Sequence, residues 1–455
     1  MPYAPDSRAF YDADSHIMEL PNFLKDYADP ALRDDIYSVS YSASLVSDEE
    51  VAEIMGNGGK HTAAHVAEQI AMGDDLIAKS KEIQALGAFN ATDRITALDM
   101  LGFKKQLVFA THSVVQPFHP SSKTAPNLRY GAARAHNRHM ADFCSVDDRL
   151  MGVGVVPLDT PELAIAELEF ALENNMKAIL VPHRAPIGHS PGHVDLEGFW
   201  ARLAESNTPF VLHVGGSTLQ ALKSWSNNGR AAVKDWMGGG ENVRTKDAAL
   251  MHQPPETFVS MLVLDGVFAR HPKLRGAAVE LGAGWVPEML RRLDSITRIY
   301  SRVDESVRFD RKPSEQLTEQ MGFTPFPHED VARLIADSND ELYLFSSDYP
   351  HVEGGRDPIA LANDACAGVV DTEHAPEQSF VALLEIDEEL VGPVDDAPAT
   401  GAPARLVVIV EPTQVAEVER QRGVRPRRGR AQQRLGLDLA RGSPFAAAEN
   451  QRVAL

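Results

Sequence analysis

Apolar runs of strand length alternate with helix-like segments over most of the chain. The runs cover residues 106–112, 150–157, 177–183, 210–214 and 274–281, and helical spacing of apolar residues separates them. Continuously apolar runs are typical of strands that are buried on both faces of a parallel sheet. With further strands at residues 10–17, 320–324 and 341–347, the pattern predicts an α/β fold, a TIM-like (β/α)8 barrel.

An open, doubly wound sheet is the alternative architecture for the same pattern. The chain has no Gly-x-Gly-x-x-Gly between the first strand and the first helix. That absence counts against a dinucleotide-binding version of the open sheet.

The predicted barrel domain, residues 8–384, contains two long irregular stretches. Residues 30–90 follow the first strand and residues 215–254 follow the fifth. Both are too long for ordinary loops and are interpreted as inserted cap segments. Residues 385–455 change from acidic to Pro- and Ala-rich and then to Arg-rich composition, so an atypical, weakly folded tail is predicted.

The first strand carries polar residues at alternate positions. Asp12, Asp14 and His16 are predicted to share one face, because side chains at i and i+2 of a strand point the same way. Such a face is costly to bury unless a cation is bound there. His213 and Asp348 end two later strands, and the carboxyl ends of barrel strands meet at one mouth. Asp14, His16, His213 and Asp348 are therefore predicted to bind one divalent metal ion, Zn or Mn.

Each of these residues also has an ordinary structural interpretation. His213 alone could be a hydrogen-bonded core histidine, Asp348 a helix N-cap and Asp14 a turn cap. The joint pattern at strand ends is what favours a metal site. Asp12 lies deeper in the strand and is expected to bind backbone or neighbouring side chains instead.

The overall charge limits the classes of partner. The chain of 455 residues has a formal net charge of -21 and only two cysteines, Cys144 and Cys366. An acidic surface repels nucleic acid and anionic membranes, so a small-molecule substrate is predicted, with neither of those partners. The low cysteine content fits a reducing, cytoplasmic compartment, and no apolar run approaches the roughly 20 residues of a membrane span.

Five short segments resemble one enzyme family. They are YDADSH at 11–16, LMGVGVVP at 150–157, LH at 212–213, ELGAGWVP at 280–287 and FSSDYPH at 345–351. Together they resemble the amidohydrolase-related family, the aminocarboxymuconate-semialdehyde decarboxylase-like branch of the amidohydrolase superfamily. The resemblance covers roughly residues 8–365 and implies a TIM-like barrel with one divalent metal ion, ligated by Asp14, His16, His213 and Asp348. By the same analogy a homodimer is expected.

Two departures from the family leave the reaction open. The chain has Asp14-x-His16 where familiar members have His-x-His, which adds negative charge and favours Mn over Zn. Glu280 stands where decarboxylases of the family carry a proton-transferring His. A buried carboxylate there can act as acid or base, or equally serve as a structural or substrate-binding group. Because Glu280 replaces the His, hydrolysis of a small ester, lactone or amide is the main prediction. Decarboxylation of an aromatic or unsaturated acid is the alternative, and a catalytically inactive scaffold is the third possibility.

The remaining candidates lie at other strand ends of the same mouth. Asp348, Glu280 and His183 are predicted catalytic residues, with Asp348 as the proton shuttle. A structural hydrogen bond to the backbone is an equal interpretation for His183. The predicted substrate-binding residues are Arg184, His351 and His112, since an Arg can pair with a substrate carboxylate through two hydrogen bonds.

Overall fold

The computed structural model describes residues 2–5, 8–41, 44–121, 124–216, 223–230 and 245–366. Seven parallel strands form one sheet, in the order of the sequence. They are β1 (Tyr11–Ile17), β2 (Lys105–Ala110), β3 (Leu150–Val155), β4 (Ala178–Leu180), β5 (Phe210–His213), β6 (Gly276–Val279) and β7 (Met321–Phe323). Parallel neighbours require a long connection, and helices supply most of it here.

One extended segment, residues 343–349, bonds to both edges of this sheet. A parallel bridge links Tyr343 to Phe323 of β7. On the other side, the amide of Ala13 in β1 donates to the carbonyl of Phe345 at 3.0 Å. The sheet is therefore curled, and both of its edges bond to the same segment, as in a TIM-like barrel.

The helices occupy the connections between the strands. Between β1 and β2 lie α1 (Phe23–Tyr27), α2 (Asp48–Gly56), α3 (Ala63–Ala71), α4 (Leu76–Lys79) and α5 (Ala91–Leu101). The helices after β2 are α6 (Pro126–Cys144), α7 (Pro161–Glu173), α8 (Glu197–Glu205), α9 (Lys223–Ser226), α10 (Thr245–Ala248), α11 (Gln253–Leu264), α12 (Val267–Arg270), α13 (Val286–Tyr300), α14 (Pro313–Gln320), α15 (Val331–Asp337) and α16 (Pro358–Ala365).

The strands bury both of their faces. One apolar cluster takes side chains from alternate positions of β1 to β6, among them Ala13, Phe109, Val153, Leu180, Val211 and Val279. The intervening strand residues, such as Phe210 and Leu212, belong to a larger cluster that includes the helix residues. This double burial explains why the strand runs are continuously apolar.

Several predicted elements differ from those observed. The helix-like segment before the run at 274–281 is two helices, α11 and α12, which are separated at Gly266, where φ is +74°. The predicted strand at 177–183 is only three residues long. The predicted eighth strand at 341–347 does not form a ladder, because residues 340–342 make a 3-10 turn and only single bridges follow. The segment 215–254 lies partly outside the described residues, and the tail 385–455 lies wholly outside them.

Candidate metal centre

An irregularity in β1 aims the first two predicted ligands. Asp12 pairs with Gln106 of β2, but Ser15 pairs with Val108, so β1 has one residue more than β2 over this stretch. Such a bulge changes which face the following side chains occupy. Ala13 accordingly packs in the cluster of alternate strand residues, whereas Ile17 packs in the larger one.

The bulge corrects the prediction that Asp12, Asp14 and His16 share one face. Asp12 is fully buried and accepts hydrogen bonds from the Nε2 of Gln106 at 2.7 Å and from the Oγ of Ser347 at 2.6 Å. Burial raises the pKa of Asp12 to about 7, against the effect of these hydrogen bonds. Asp12 thus ties β1 to β2 and to the segment after β7, in line with the expectation that it binds neighbouring groups.

Asp14 lies between two imidazoles. Its Oδ1 is 3.1 Å from the Nε2 of His16 and 3.2 Å from the Nε2 of His213 at the end of β5. The three residues are at most 4% exposed. Burial alone would raise the pKa of Asp14, but the two imidazoles lower it well below its ordinary value. Burial lowers the pKa of His16 to about 4, so His16 is neutral at neutral pH.

Asp348 approaches the same group from the segment after β7. Its Oδ1 is 3.5 Å from the Nε2 of His16 and 3.0 Å from the Nδ1 of His351. His351 stacks on His16 with ring centroids 4.1 Å apart, and its Nε2 is 3.0 Å from the Oγ1 of Thr111. Burial works against the charge of His351, but the Asp348 carboxylate raises its pKa to about 10. His351 therefore contacts Asp348 as a partner that fixes its orientation.

Glu280 reaches the group from the end of β6. Its Oε2 is 3.5 Å from the Nε2 of His213, and its backbone amide donates to the Oγ1 of Thr324 at 2.7 Å. Glu280 and Asp348 both have positive φ, 54° and 52°. This left-handed conformation costs a residue other than glycine about 1 kcal/mol or more, and such strain tends to occur at functional sites.

These residues fit a divalent metal ion. Ligand atoms of Asp14, His16, His213 and Glu280 all lie within 4.8 Å of one another, and those of His16, Asp348 and His351 form a second such group. The Nδ1 of His213 is 2.9 Å from the carbonyl of Val214 and acts as the donor there, so a neutral ring presents its lone pair at Nε2. That lone pair faces carboxylate oxygens, an arrangement that a cation between them stabilises.

His183 lies beside the metal ligands, beyond the end of β4. It is fully buried, and neither ring nitrogen has a hydrogen-bond partner among the described residues. Burial lowers the pKa of His183 to about 3, which keeps the ring neutral. A Cβ on Gly216 would come within 2.9 Å of the His183 Nδ1, so a side chain at position 216 would crowd this ring.

Arg184 is held by a carboxylate of the chain itself. Its Nη1 and Nη2 each donate to Asp159 at 2.8 Å, and the Nη1 of Arg129 lies 3.0 Å from the same carboxylate. Asp159 and the two arginines tie α6, which carries Arg129, to the loops that follow β3 and β4. Substrate binding by Arg184 stays a prediction. Both Nη atoms of its guanidinium already donate to Asp159.

The sequence analysis missed Glu19, which organises the loop after β2. Glu19 is buried, and its carboxylate accepts hydrogen bonds from the backbone amides of Thr111, His112 and Ser113. His112, a predicted substrate-binding residue, is thereby fixed at the mouth, with its ring 5.4 Å from that of Tyr41. An acidic residue two positions after a strand was the only sequence signal for Glu19.

Comparison with known proteins decides the family. The model of the amidohydrolase family matches residues 61–381, more than half of the chain. The chain belongs to the amidohydrolase family. The resemblance found in the sequence is therefore confirmed. No curated protein matches the sequence.

Solved structures share the amidohydrolase fold of this chain. An amidohydrolase from Mycobacterium avium subsp. paratuberculosis K-10 has a TM-score of 0.59 at 18% identity, covering 84% of this chain and 100% of that one. The 5-carboxyvanillate decarboxylase of Novosphingobium aromaticivorans, with bound manganese, has a TM-score of 0.53 at 14% identity, covering 85% and 100%. That of Sphingomonas paucimobilis has 0.51 at 15%, covering 83% and 99%. At these identities the likeness establishes the fold.

Among the described residues, no helix is both long and apolar enough to cross a membrane.

Proposed function

We propose that this member of the amidohydrolase family is a divalent-metal-dependent decarboxylase of a small aromatic or unsaturated carboxylic acid. The observation that carries the proposal is the buried meeting of Asp14, His16 and His213 at the strand ends. Two 5-carboxyvanillate decarboxylases share the surrounding fold. These structural neighbours favour decarboxylation over the hydrolysis that the sequence analysis preferred.

The proposed ligands of the metal ion are Asp14, His16, His213 and Asp348. Manganese is the preferred ion, because this set has two carboxylates and no thiolate and the Novosphingobium neighbour holds manganese. Zinc is the alternative. The bound ion would supply Lewis acidity that orients and polarises an oxygen of the substrate.

The chain's own side chains would manage the proton of the reaction. When the bond between the substrate carbon and its carboxylate breaks, CO2 leaves and its electron pair remains on that carbon. A proton must then reach the carbon. Asp348, Glu280 and His183 are the predicted catalytic residues near the cluster, but a neutral His183 has no acidic proton to give. Asp348 is favoured, because His351 holds its carboxylate in place.

Burial of the site supports this chemistry. Asp14, His16, His183 and His213 are each at most 4% exposed, so the substrate carboxylate would leave bulk water when it binds. A desolvated carboxylate loses the hydration that stabilises its charge, which favours release of neutral CO2.

Hydrolysis of an ester, lactone or amide remains the second candidate. Glu280 at the end of β6 favours it, since the related decarboxylases carry a His there. In that reaction Asp348 would accept a proton from the attacking water.

A substrate panel separates the two reactions. The manganese-loaded protein would be incubated with 5-carboxyvanillate, with 2,6-dihydroxybenzoate and with aromatic esters and lactones, and the products followed by chromatography and CO2 release. Decarboxylation of an acid with the esters untouched is the expected result, and an Asp348→Asn variant should lose it. Hydrolysis of an ester without any CO2 release would overturn the proposal.

The other roles proposed at the mouth are substrate contacts by His112, His351 and Arg184. A homodimer and a cytoplasmic location also stay predictions from the sequence.

A further inference from the structure

We infer that Glu280 is a ligand of the metal ion. This inference rests on the proposed function, because it requires that a metal ion binds at the cluster. Glu280 would be a fifth ligand, in addition to the predicted ligands Asp14, His16, His213 and Asp348. It lies at the end of β6, a strand that supplies none of those four.

The Glu280 carboxylate lies among the predicted metal ligands. Glu280 directly follows β6, and its carboxylate belongs with Asp14, His16 and His213 to the group whose ligand atoms lie within 4.8 Å of one another. Asp348 belongs to the other group, with His16 and His351. Of the two strand-end carboxylates, Glu280 is thus the one grouped with both imidazole ligands and Asp14.

The Nε2 lone pair of His213 faces both Asp14 and Glu280. Its Nδ1 donates to the Val214 carbonyl at 2.9 Å, so a neutral ring has its lone pair on Nε2. This nitrogen is 3.2 Å from Asp14 Oδ1 and 3.5 Å from Glu280 Oε2. Three electron-rich atoms at this spacing repel one another, and a shared divalent cation converts the repulsion into ligation.

The backbone of Glu280 is held in a strained conformation. Glu280 holds a φ of 54°, and the Thr324 hydroxyl oxygen accepts its amide hydrogen at 2.7 Å. Asp348, a predicted ligand, has the same kind of φ, 52°. The fold therefore keeps both carboxylates in a strained conformation, Glu280 directly after β6 and Asp348 in the segment 343–349, the kind of fixed placement that metal ligands need.

The consequence is a donor set of two imidazole nitrogens and three carboxylates. Such an oxygen-rich set suits manganese better than zinc, whose protein sites usually have three or four ligands. With Glu280 as a ligand, delivery of the proton is assigned to Asp348, whose carboxylate His351 contacts at 3.0 Å.

The test is a manganese titration of the metal-free protein, followed by the electron paramagnetic resonance signal of free Mn²⁺. Glu280→Gln should weaken manganese binding by at least about tenfold, since it removes one charged ligand. Glu167→Gln is the matched control, because Glu167 is a buried carboxylate of α7 that lies outside both groups. That variant should change the affinity by less than about threefold.

Two further variants sharpen the result. Glu280→His should shift the preference from manganese towards zinc, and Glu280→Asp should fall between the wild type and Glu280→Gln. Circular dichroism and thermal unfolding of the metal-free proteins show that each variant is folded. If Glu280→Gln does not fold, Glu280→Asp and Glu280→His carry the test.

The outcomes separate this inference from the proposed function. If the wild type binds neither manganese nor zinc, the proposed function fails. If the wild type binds manganese and folded Glu280→Gln binds it equally well, the function stands and the inference about Glu280 is wrong.

Discussion

At the scale of single residues, the site consists of ligands and of the groups that hold them. His351 is the clearest of the second kind, because it contacts the Asp348 carboxylate at 3.0 Å and stacks on His16. Residues of this kind typically change metal affinity by about 10- to 100-fold when they are removed.

We therefore expect His351→Gln to weaken manganese binding by about tenfold while the protein stays folded. Isothermal titration calorimetry of the metal-free protein measures it. His65→Gln is the control, since His65 bonds to the carbonyl of Gln84 on the segment between β1 and β2, outside both groups of ligand atoms. An unchanged affinity in His351→Gln would show that Asp348 needs no partner.

Several residues of the candidate site could be named from the sequence. Asp14, His16 and His213 were predicted from their places on strands, and the structure brings their side chains together. Glu280 was singled out as well, but as an acid or base. The sequence could not show that its carboxylate points at His213, because that depends on a positive φ at a residue other than glycine.

At the scale of elements, the sheet depends on one buried carboxylate. Asp12 accepts hydrogen bonds from Gln106 of β2 and from both the amide and the hydroxyl of Ser347. Removing it leaves buried donors without an acceptor, and each such donor costs about 1–3 kcal/mol.

Asp12→Ala should therefore destabilise the protein by about 3 kcal/mol or more, while Asp12→Asn should cost less because it keeps an acceptor oxygen. Urea unfolding at constant pH measures both free energies. Equal losses in the two variants would mean that packing around Asp12, and not its hydrogen bonds, holds the strands together.

The elements were predicted well where the apolar pattern is long. The strands β2, β3 and β5 lie within a few residues of the apolar runs that predicted them. The bulge in β1 and the irregular segment 343–349 were missed, because both are set by hydrogen bonds between distant parts of the chain. Apolar periodicity carries no information about such bonds.

At the scale of the whole molecule, buried histidines make the stability depend on pH. His136 in α6 is fully buried, and burial lowers its pKa to about 4. An unfolded histidine has a pKa of about 6.5, so between these values the unfolded chain binds a proton that the folded protein excludes. His136 therefore does not reduce the free energy of unfolding above pH 6.5, but it lowers that free energy progressively as the pH drops towards 4.

Replacing His136 removes this contribution. The loss of stability between pH 7 and pH 4 should be smaller in His136→Phe than in the wild type, by up to about 3 kcal/mol. Urea unfolding of both proteins over this pH range measures the difference. Parallel curves for the two proteins would contradict the low pKa of His136.

The end of the barrel domain, predicted at residue 384, is also a property of the whole molecule. It was predicted from the change in composition after that residue. The family match ends at residue 381, close to the predicted end of the barrel domain at 384. A chain that ends at Glu385 should keep the metal content of the full protein. Loss of metal binding or of folded protein on this truncation would show that residues beyond 385 belong to the domain.

The central claim is that the chain binds one divalent ion through residues at its strand ends, and metal analysis of the purified protein tests it most directly. Elemental analysis of the wild type and of Asp348→Ala should give about one manganese or zinc per wild-type chain, and less in the variant. A wild type that holds no metal, and takes up none when incubated with Mn²⁺ or Zn²⁺, would contradict the claim.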